Sequence, residues 1–144
     1  MIEIKEMKLE DFEEIKDILQ TEFDEFWKPN ILKSELESEL SKYIVAKINN
    51  VIVGFAGIII LPDDVEITNI VTKKIERKKG IGKLLLDKLI EMAKETKKET
   101  ISLEVNEKNI PAIKLYKKFD FKEVGIRKKY YNGIDNAIIM TKKI

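Results

Sequence analysis

Apolar positions along the chain switch between two periods. Ile2 and Ile4 alternate with Glu3 and Lys5, which predicts a short strand, and Phe12, Ile15, Ile18 and Leu19 then recur at helical spacing. Leu32, Leu36 and Leu40 predict a second helix. The β-rich runs Tyr43 to Ile48 and Val51 to Leu61 meet at Asn49-Asn50, a pair that tolerates the left-handed conformations of a tight hairpin turn. Pro62-Asp63-Asp64 turns the chain into a third run, Val65 to Thr72, completing an antiparallel meander. A helix follows from Ile81 to about Glu95, with Ile81, Leu84, Leu85, Leu89 and Met92 as its buried stripe. Thr100 to Asn106 reads as a strand, and Asn109 caps a helix through about Phe119 with Pro111 in its first turn. Phe121 to Lys129 and Asp135 to Lys142 are two last strands, joined through Tyr130 to Ile134 with Asn132-Gly133 as the turn.

The resulting order is β-α-α-β-β-β-α-β-α-β-β. The crossover helix from Ile81 makes its flanking strands parallel, so the sheet is mixed. The 144 residues, 44% of them apolar, are expected to form a single domain over 1–144 with a core that needs no covalent staple. There is no Cys and no His, which excludes disulfides, Cys/His metal sites, thiolate nucleophiles and imidazole chemistry. No metal is expected, and catalytic proton transfer falls to Glu, Asp, Tyr, Lys or water. The longest apolar run, Val51 to Leu61, is too short to span a bilayer and the N-terminus has no signal-like apolar region, so a cytoplasmic protein with no membrane partner is expected.

The formal net charge of +1 conceals an asymmetry: residues 1–41 hold 13 Asp/Glu against 5 Lys/Arg, while residues 73–83 hold six Lys/Arg against Glu76 alone. Two solvated faces would explain this, as would an acidic side for a cationic substrate and a basic mouth for a polyanion. The basic stretch Arg77-Lys78-Lys79-Gly80-Ile81-Gly82-Lys83 lies between a strand and a helix. Such a turn offers unpaired N–H groups and the positive end of the helix dipole, an arrangement suited to phosphate. Its spacing is neither a Walker loop nor a complete dinucleotide fingerprint.

The loop resembles the acetyl-CoA pyrophosphate loop of the GNAT superfamily of N-acetyltransferases, patterned Gln/Arg-x-x-Gly-x-Gly/Ala, and the element order resembles that fold over essentially the whole chain. The segments Asn69-Ile70-Val71, Leu103-Glu104-Val105, Asn109, Ala112-Ile113, Leu115-Tyr116, Phe121, Arg127, Tyr130-Tyr131 and Asp135 to Met140 resemble the bacterial ribosomal-protein-alanine N-acetyltransferases. The resemblance implies an α/β (α+β) acyl-CoA N-acyltransferase fold, with splayed middle strands flanked by helices. It implies acetyl-CoA as cosubstrate and a protein N-terminal amine, that of a small-subunit ribosomal protein, as acceptor. The absence of Cys bars an acetyl-cysteine route and leaves direct transfer, the near-neutral charge and few aromatics beside the loop argue against a nucleic-acid partner, and a monomer or homodimer is expected. Glu104 would be the general base and Tyr116 the acid. Ile70, Val71 and Thr72, by their backbone groups, Lys78 to Lys83 (Lys78, Lys79, Gly80, Ile81, Gly82 and Lys83) and Asn109 would hold the cosubstrate. Trp27, Glu66, Tyr130 and Tyr131 would border the acceptor.

Each residue has an alternative reading: Glu104 and Glu66 as solvent-facing carboxylates, Tyr116 and Trp27 as core aromatics, Asn109 as a helix cap, and Tyr130 and Tyr131 as edge-strand packing. Two positions depart from the family pattern. Asp120 stands where a glycine usually precedes Phe121, and Lys73-Lys74 replaces a common Asp-Pro. A GNAT enzyme acting on a polyamine, amino acid or aminoglycoside, and a non-catalytic polyanion-binding module, stay open as rivals.

Overall fold

The computed structural model describes residues 1–24, 29–131 and 133–144. Its elements in chain order are β1 (Ile2–Glu6), α1 (Leu9–Ile15), α2 (Leu19–Glu22), α3 (Pro29–Leu36), β2 (Ser41–Ile48), β3 (Val51–Ile60) and β4 (Val65–Thr72). A 3-10 turn (Lys74–Glu76) leads to α4 (Ile81–Glu95), β5 (Thr100–Asn106), α5 (Ile110–Lys118), β6 (Lys122–Tyr131) and β7 (Asp135–Lys143). The strands form one seven-stranded sheet in the order β1-β2-β3-β4-β5-β7-β6. Neighbours from β1 to β4 are antiparallel, β4 and β5 are parallel as the α4 crossover requires, and β7 lies between β5 and the edge strand β6.

Alternation along the strands divides the core into two layers. Ile44 and Ala46 face α4 and α5, sharing a cluster with Ile81, Leu85, Leu89, Leu103 and Ile113. Tyr43 and Val45 face the N-terminal helices, where Phe12, Ile15, Leu19, Phe23 and Leu32 are buried. Among the described residues no helix is long and apolar enough to cross a membrane.

Three local expectations are corrected. The first helix is broken into α1 and α2 by a tightened turn in which the Ile18 N–H donates to the Ile15 carbonyl, yet Phe12, Ile15 and Leu19 still reach one cluster. Leu40 lies in a turn beyond α3 and is 56% exposed, because the Ser38 N–H bonds the Glu35 carbonyl and ends the α spacing. Leu84 is 44% exposed. The arc of α4 that contacts the sheet is carried by Leu85, Leu86, Leu89, Ile90 and Ala93, which leaves Leu84 outside it.

The turns match their residue chemistry. Asn49 and Asn50 both take positive φ, 50° and 67°, in the β2-β3 hairpin. Asp120 takes φ 69° where the family uses glycine, so the left-handed turn before Phe121 survives the substitution.

Two irregularities of β4 create the site. Its pairing with β5 is limited to Val65 with Ile101 and Glu66 with Ser102, after which the strands part. Against β3 the register passes from Ile58 with Ile67 to Gly57 with Asn69, so Thr68 is an extra residue in a β-bulge.

Candidate active site

Where β4 and β5 separate, a cleft of about 710 Å³ opens. Asn69 and Glu104 line its strand walls, α5 and its cap contribute Tyr116 and Asn109, and the end of β6 contributes Tyr130 and Tyr131. Thus Glu104, Tyr116, Tyr130 and Tyr131, distant in sequence, border one space. Glu66 does not line it, although its carboxylate lies near enough to Glu104 to interact with it electrostatically.

Burial alternates along β5 as the sequence predicts, with Ile101, Leu103 and Val105 buried and Glu104 on the opposite face. The Glu104 side chain is nevertheless only 18% exposed. Its Oε1 accepts a contact from Arg127 Nη2 at 3.1 Å, while Oε2 is buried and without a hydrogen-bond partner among the described residues. A buried carboxylate oxygen left unpaired is uncommon, because desolvation is then uncompensated, and it marks a place where a donor is missing. The Arg127 guanidinium also lies 4.6 Å from the centroid of the Tyr130 ring, and that ring meets Tyr131 edge-on at 5.1 Å. Glu104, Arg127, Tyr130 and Tyr131 therefore form one connected group.

Burial pushes the Tyr116 hydroxyl up to about 12, with a smaller contribution from Tyr131. Its ring packs edge-on against Phe121, with centroids 5.9 Å apart. The Tyr131 hydroxyl is also raised to about 12, by burial and then by Glu104. Both phenols keep their protons near neutral pH. The Glu66 carboxyl is raised by burial, then by Glu104 and Asp64.

The basic loop leads into α4. Gly80 takes φ 81° as the residue before the helix, a conformation that strains any residue with a Cβ. A Cβ built on Gly82 would meet nothing within 4 Å, so the protein leaves the space over the first helical turn open. The N–H groups of Ile81, Gly82 and Lys83 have no acceptor among the described residues. Lys78 and Lys83 have no carboxylate partner among them either, whereas Lys79 Nζ lies 3.0 Å from Glu76 and Arg77 Nε donates to Asp24 at 2.6 Å. Open donors, a dipole end and free cations fit a pyrophosphate. Acidic and basic segments also meet directly, since Lys73 lies 3.6 Å from Glu22 and Arg77 pairs with Asp24. The charge asymmetry of the sequence is thus partly spent within the fold.

The backbone of β4 narrows the expectation for Ile70, Val71 and Thr72. The Thr72 N–H donates to Asp24 Oδ2 at 3.2 Å and its carbonyl accepts from the Asp24 N–H at 2.9 Å, so both groups are occupied. The Lys73 N–H donates to the Val53 carbonyl, and alternation then turns Val71 toward its β3 partner Phe55. Of the three, Ile70 is the one whose backbone groups this alternation turns toward the opening, where no register partner is found among the described residues. Asn109 caps α5, its Oδ1 accepting from the Ala112 N–H at 3.3 Å, and also lines the cleft. Trp27 lies outside the described residues.

The Acetyltransferase (GNAT) family model matches residues 12–121. The chain belongs to the GNAT family of acetyltransferases. A Haemophilus influenzae enzyme named ribosomal protein bS18-alanine N-acetyltransferase is 37% identical over 143 residues, 95% of this chain and 95% of its own. A Bacillus subtilis protein provisionally given the same name is 38% identical over 140 residues, 95% of this chain and 92% of its own. The crystal structure of the ribosomal-protein-S18-alanine N-acetyltransferase from Escherichia coli superposes with a TM-score of 0.90 at 28% identity, covering 100% of this chain and 94% of that one. The protein is an N-acetyltransferase, and GNAT acetyltransferases draw their acetyl group from acetyl-CoA.

Sequence reasoning missed three contributors. Asp24 ties the N-terminal segment to Thr72 and Arg77. Arg127 was part of the family pattern but carried no role. Asn69 lines the cleft. Asn69 falls where the alternation begun by Val65 and Ile67 calls for an apolar residue, and that was the available signal for the last.

Proposed function

We propose that this chain transfers acetyl from acetyl-CoA directly to the α-amine of a protein N-terminus, and that the acceptor is a small-subunit ribosomal protein, as in the names of its relatives. The observation that carries this reading is the unpaired Glu104 Oε2 in the wall of a cleft also lined by Tyr116, Tyr130 and Tyr131. An ammonium group has no lone pair until it loses a proton, and Glu104 Oε2 is the atom to take it. Acetyl-CoA, when bound, supplies a thioester carbonyl open to an uncharged amine. As the C–N bond forms and the C–S bond breaks, the Tyr116 hydroxyl holds the proton that the leaving sulfur needs, and its raised value keeps that proton in place at neutral pH.

The Ile70 backbone, Asn109, the N–H groups of Ile81 to Lys83 and the ammonium groups of Lys78 and Lys83 are suited to hold the cosubstrate, and Lys79 would join them by leaving Glu76. Tyr130 and Tyr131 would clamp the incoming peptide, with Glu66 beside it. The enzyme would act as one domain, residues 1–144, in the cytoplasm where ribosomal proteins are made.

Mass spectrometry of acetyl-CoA reactions with N-terminal peptides and free amines tests the reading. The expected product is a peptide acetylated on the α-amine of an N-terminal Ala. Glu104→Gln should lower turnover by roughly 10² or more with cosubstrate affinity retained. If spermidine or a free amino acid outruns every peptide, the enzyme serves small amines. If Glu66→Gln is the slower variant, Glu66 is the base. Salt-sensitive polyanion binding with no turnover would mark a binding module instead.

A further inference from the structure

Tyr43 is buried on the N-terminal face of the sheet, with its ring directly over Gly57. A Cβ on Gly57 would come within 2.4 Å of Tyr43 Cζ, so the glycine is what lets the ring lie there. From this position the phenol oxygen reaches Glu35 Oε1 at 2.5 Å, Asn69 Nδ2 at 2.7 Å and Thr68 Oγ1 at 3.1 Å. Thr68 and Asn69 are adjacent, and in a regular strand they would point to opposite faces. The bulge at Thr68 allows both to meet one hydroxyl.

Counting protons orders this group. A carboxylate can only accept, and Tyr43 has a single proton, which therefore goes to Glu35. The phenol oxygen must then accept from Asn69, which presents its NH₂ to Tyr43 and fixes Oδ1 on the opposite side of the amide. Asn69 Oδ1 is buried and has no hydrogen-bond partner among the described residues. Asn69 lines the cleft from β4, and Glu104, whose Oε2 is the other such atom, lines it from β5.

We infer that Asn69 Oδ1 is a second seat for the acceptor amine, working with Glu104 Oε2, and that Glu35 and Tyr43 are positioning residues that hold its amide in the accepting orientation. The inference rests on the acetyltransferase reading of the cleft but not on the identity of the amine. Two orphan acceptors among the residues lining one cleft match a primary ammonium, which has three N–H donors and no acceptor. One N–H is lost to Glu104, and a second stays on Asn69 Oδ1 and orients the lone pair. A hydroxyl or thiol, with one proton, cannot satisfy both walls.

The test exploits the polarity of the relay. Glu35→Gln keeps shape but can donate an amide N–H to the Tyr43 oxygen, which releases the Tyr43 proton toward Asn69 and favours the flipped amide, NH₂ toward the cleft. In the full-length enzyme, KM for the amine should then rise roughly tenfold or more, the scale of a lost hydrogen bond to a charged group. KM for acetyl-CoA and the melting temperature should be unchanged. Tyr43→Phe, which frees the amide, should act in the same direction. In an Asn69→Ala background Glu35→Gln should have no further effect on amine KM. Equal changes in both KM values, or a Glu35→Gln effect that persists without Asn69, would overturn the inference. The assay uses both an Ala-starting peptide and spermidine. A wild-type preference for spermidine defeats the proposed protein substrate, while the KM split on spermidine still decides the role of Asn69.

Discussion

Arg127 on β6 reaches over β7 to Glu104 on β5, its Nη2 3.1 Å from Oε1, and the same guanidinium covers the Tyr130 ring. One contact therefore fixes which carboxylate oxygen is occupied and which is left for a substrate, and it couples the proposed base to the tyrosines at the cleft mouth.

Arg127→Met should reduce kcat/KM by roughly an order of magnitude, because Glu104 loses the partner that holds Oε2 in place. Its effect on stability should be small. Arg127 is 52% exposed, and exposed ion pairs are worth about 0–1 kcal/mol. Steady-state kinetics alongside thermal melts check this: a large fall in melting temperature with intact kcat/KM would make the pair structural.

Tyr116→Phe should lower kcat while leaving acetyl-CoA affinity in place, since it removes a proton donor and keeps the ring that packs on Phe121. The sign of its pH effect follows from burial. Because the folded value is raised from 10.0 to about 12, the hydroxyl stays protonated and the wild-type rate should not fall through loss of this acid until pH rises well above 10. The linked stability is fully present below the unfolded value of 10.0 and is lost as pH climbs through the folded value. Tyr116→Phe should therefore lose less stability than wild type between neutral and strongly alkaline pH, as read by denaturant midpoints across that range.

Gly80 and Gly82 should respond differently to the same change. Gly80→Ala forces a Cβ into φ 81°, at a cost of about 1–2 kcal/mol, with nearby space to spare. Gly82→Ala should stabilise α4 slightly, since alanine is the better helix former. Gly82→Glu places bulk and negative charge in the open space and should weaken CoA binding. Calorimetric titration with CoA decides this, and equal affinity in wild type and Gly82→Glu would remove the loop from the cosubstrate site.

The fold was legible wherever one local rule decided the outcome. The strand run Val65 to Thr72, the Pro111 first turn and the Asn49-Asn50 hairpin each depend on neighbouring residues, and each element formed as expected. Leu84 was misread because a helical stripe gives a period but not the direction of its contact with the sheet. For the site, Glu104 and Tyr116 emerged from motif likeness, but the occupied state of the Thr72 backbone depends on Asp24, 48 positions away. The relay through Tyr43 depends on a bulge whose position the sequence does not mark, although Gly57 in an apolar strand was a sign of close approach.

Substrate choice depends on which charges beside the cleft are left unmatched. Glu104 is paired with Arg127, and Asp135, also in the cleft wall, lies 2.8 Å from Lys108. Glu66 has no ion-pair partner among the described residues, and its carboxyl is raised by burial and by Glu104, so it gains from any cation that arrives. Peptides with Arg after an N-terminal Ala should therefore be turned over several-fold faster at low salt than peptides with Glu there. Screening should erase the preference as the Debye length shrinks from about 8 Å at physiological ionic strength to about 3 Å at 1 M. Glu66→Gln should erase it at every salt concentration. A tyrosine clamp on the peptide backbone carries no such charge dependence, so Tyr131→Phe should slow both peptides by the same factor. Comparing the two peptides in the three proteins at low and high salt separates these contributions, and a preference that survives both high salt and Glu66→Gln would assign the selectivity to shape rather than charge.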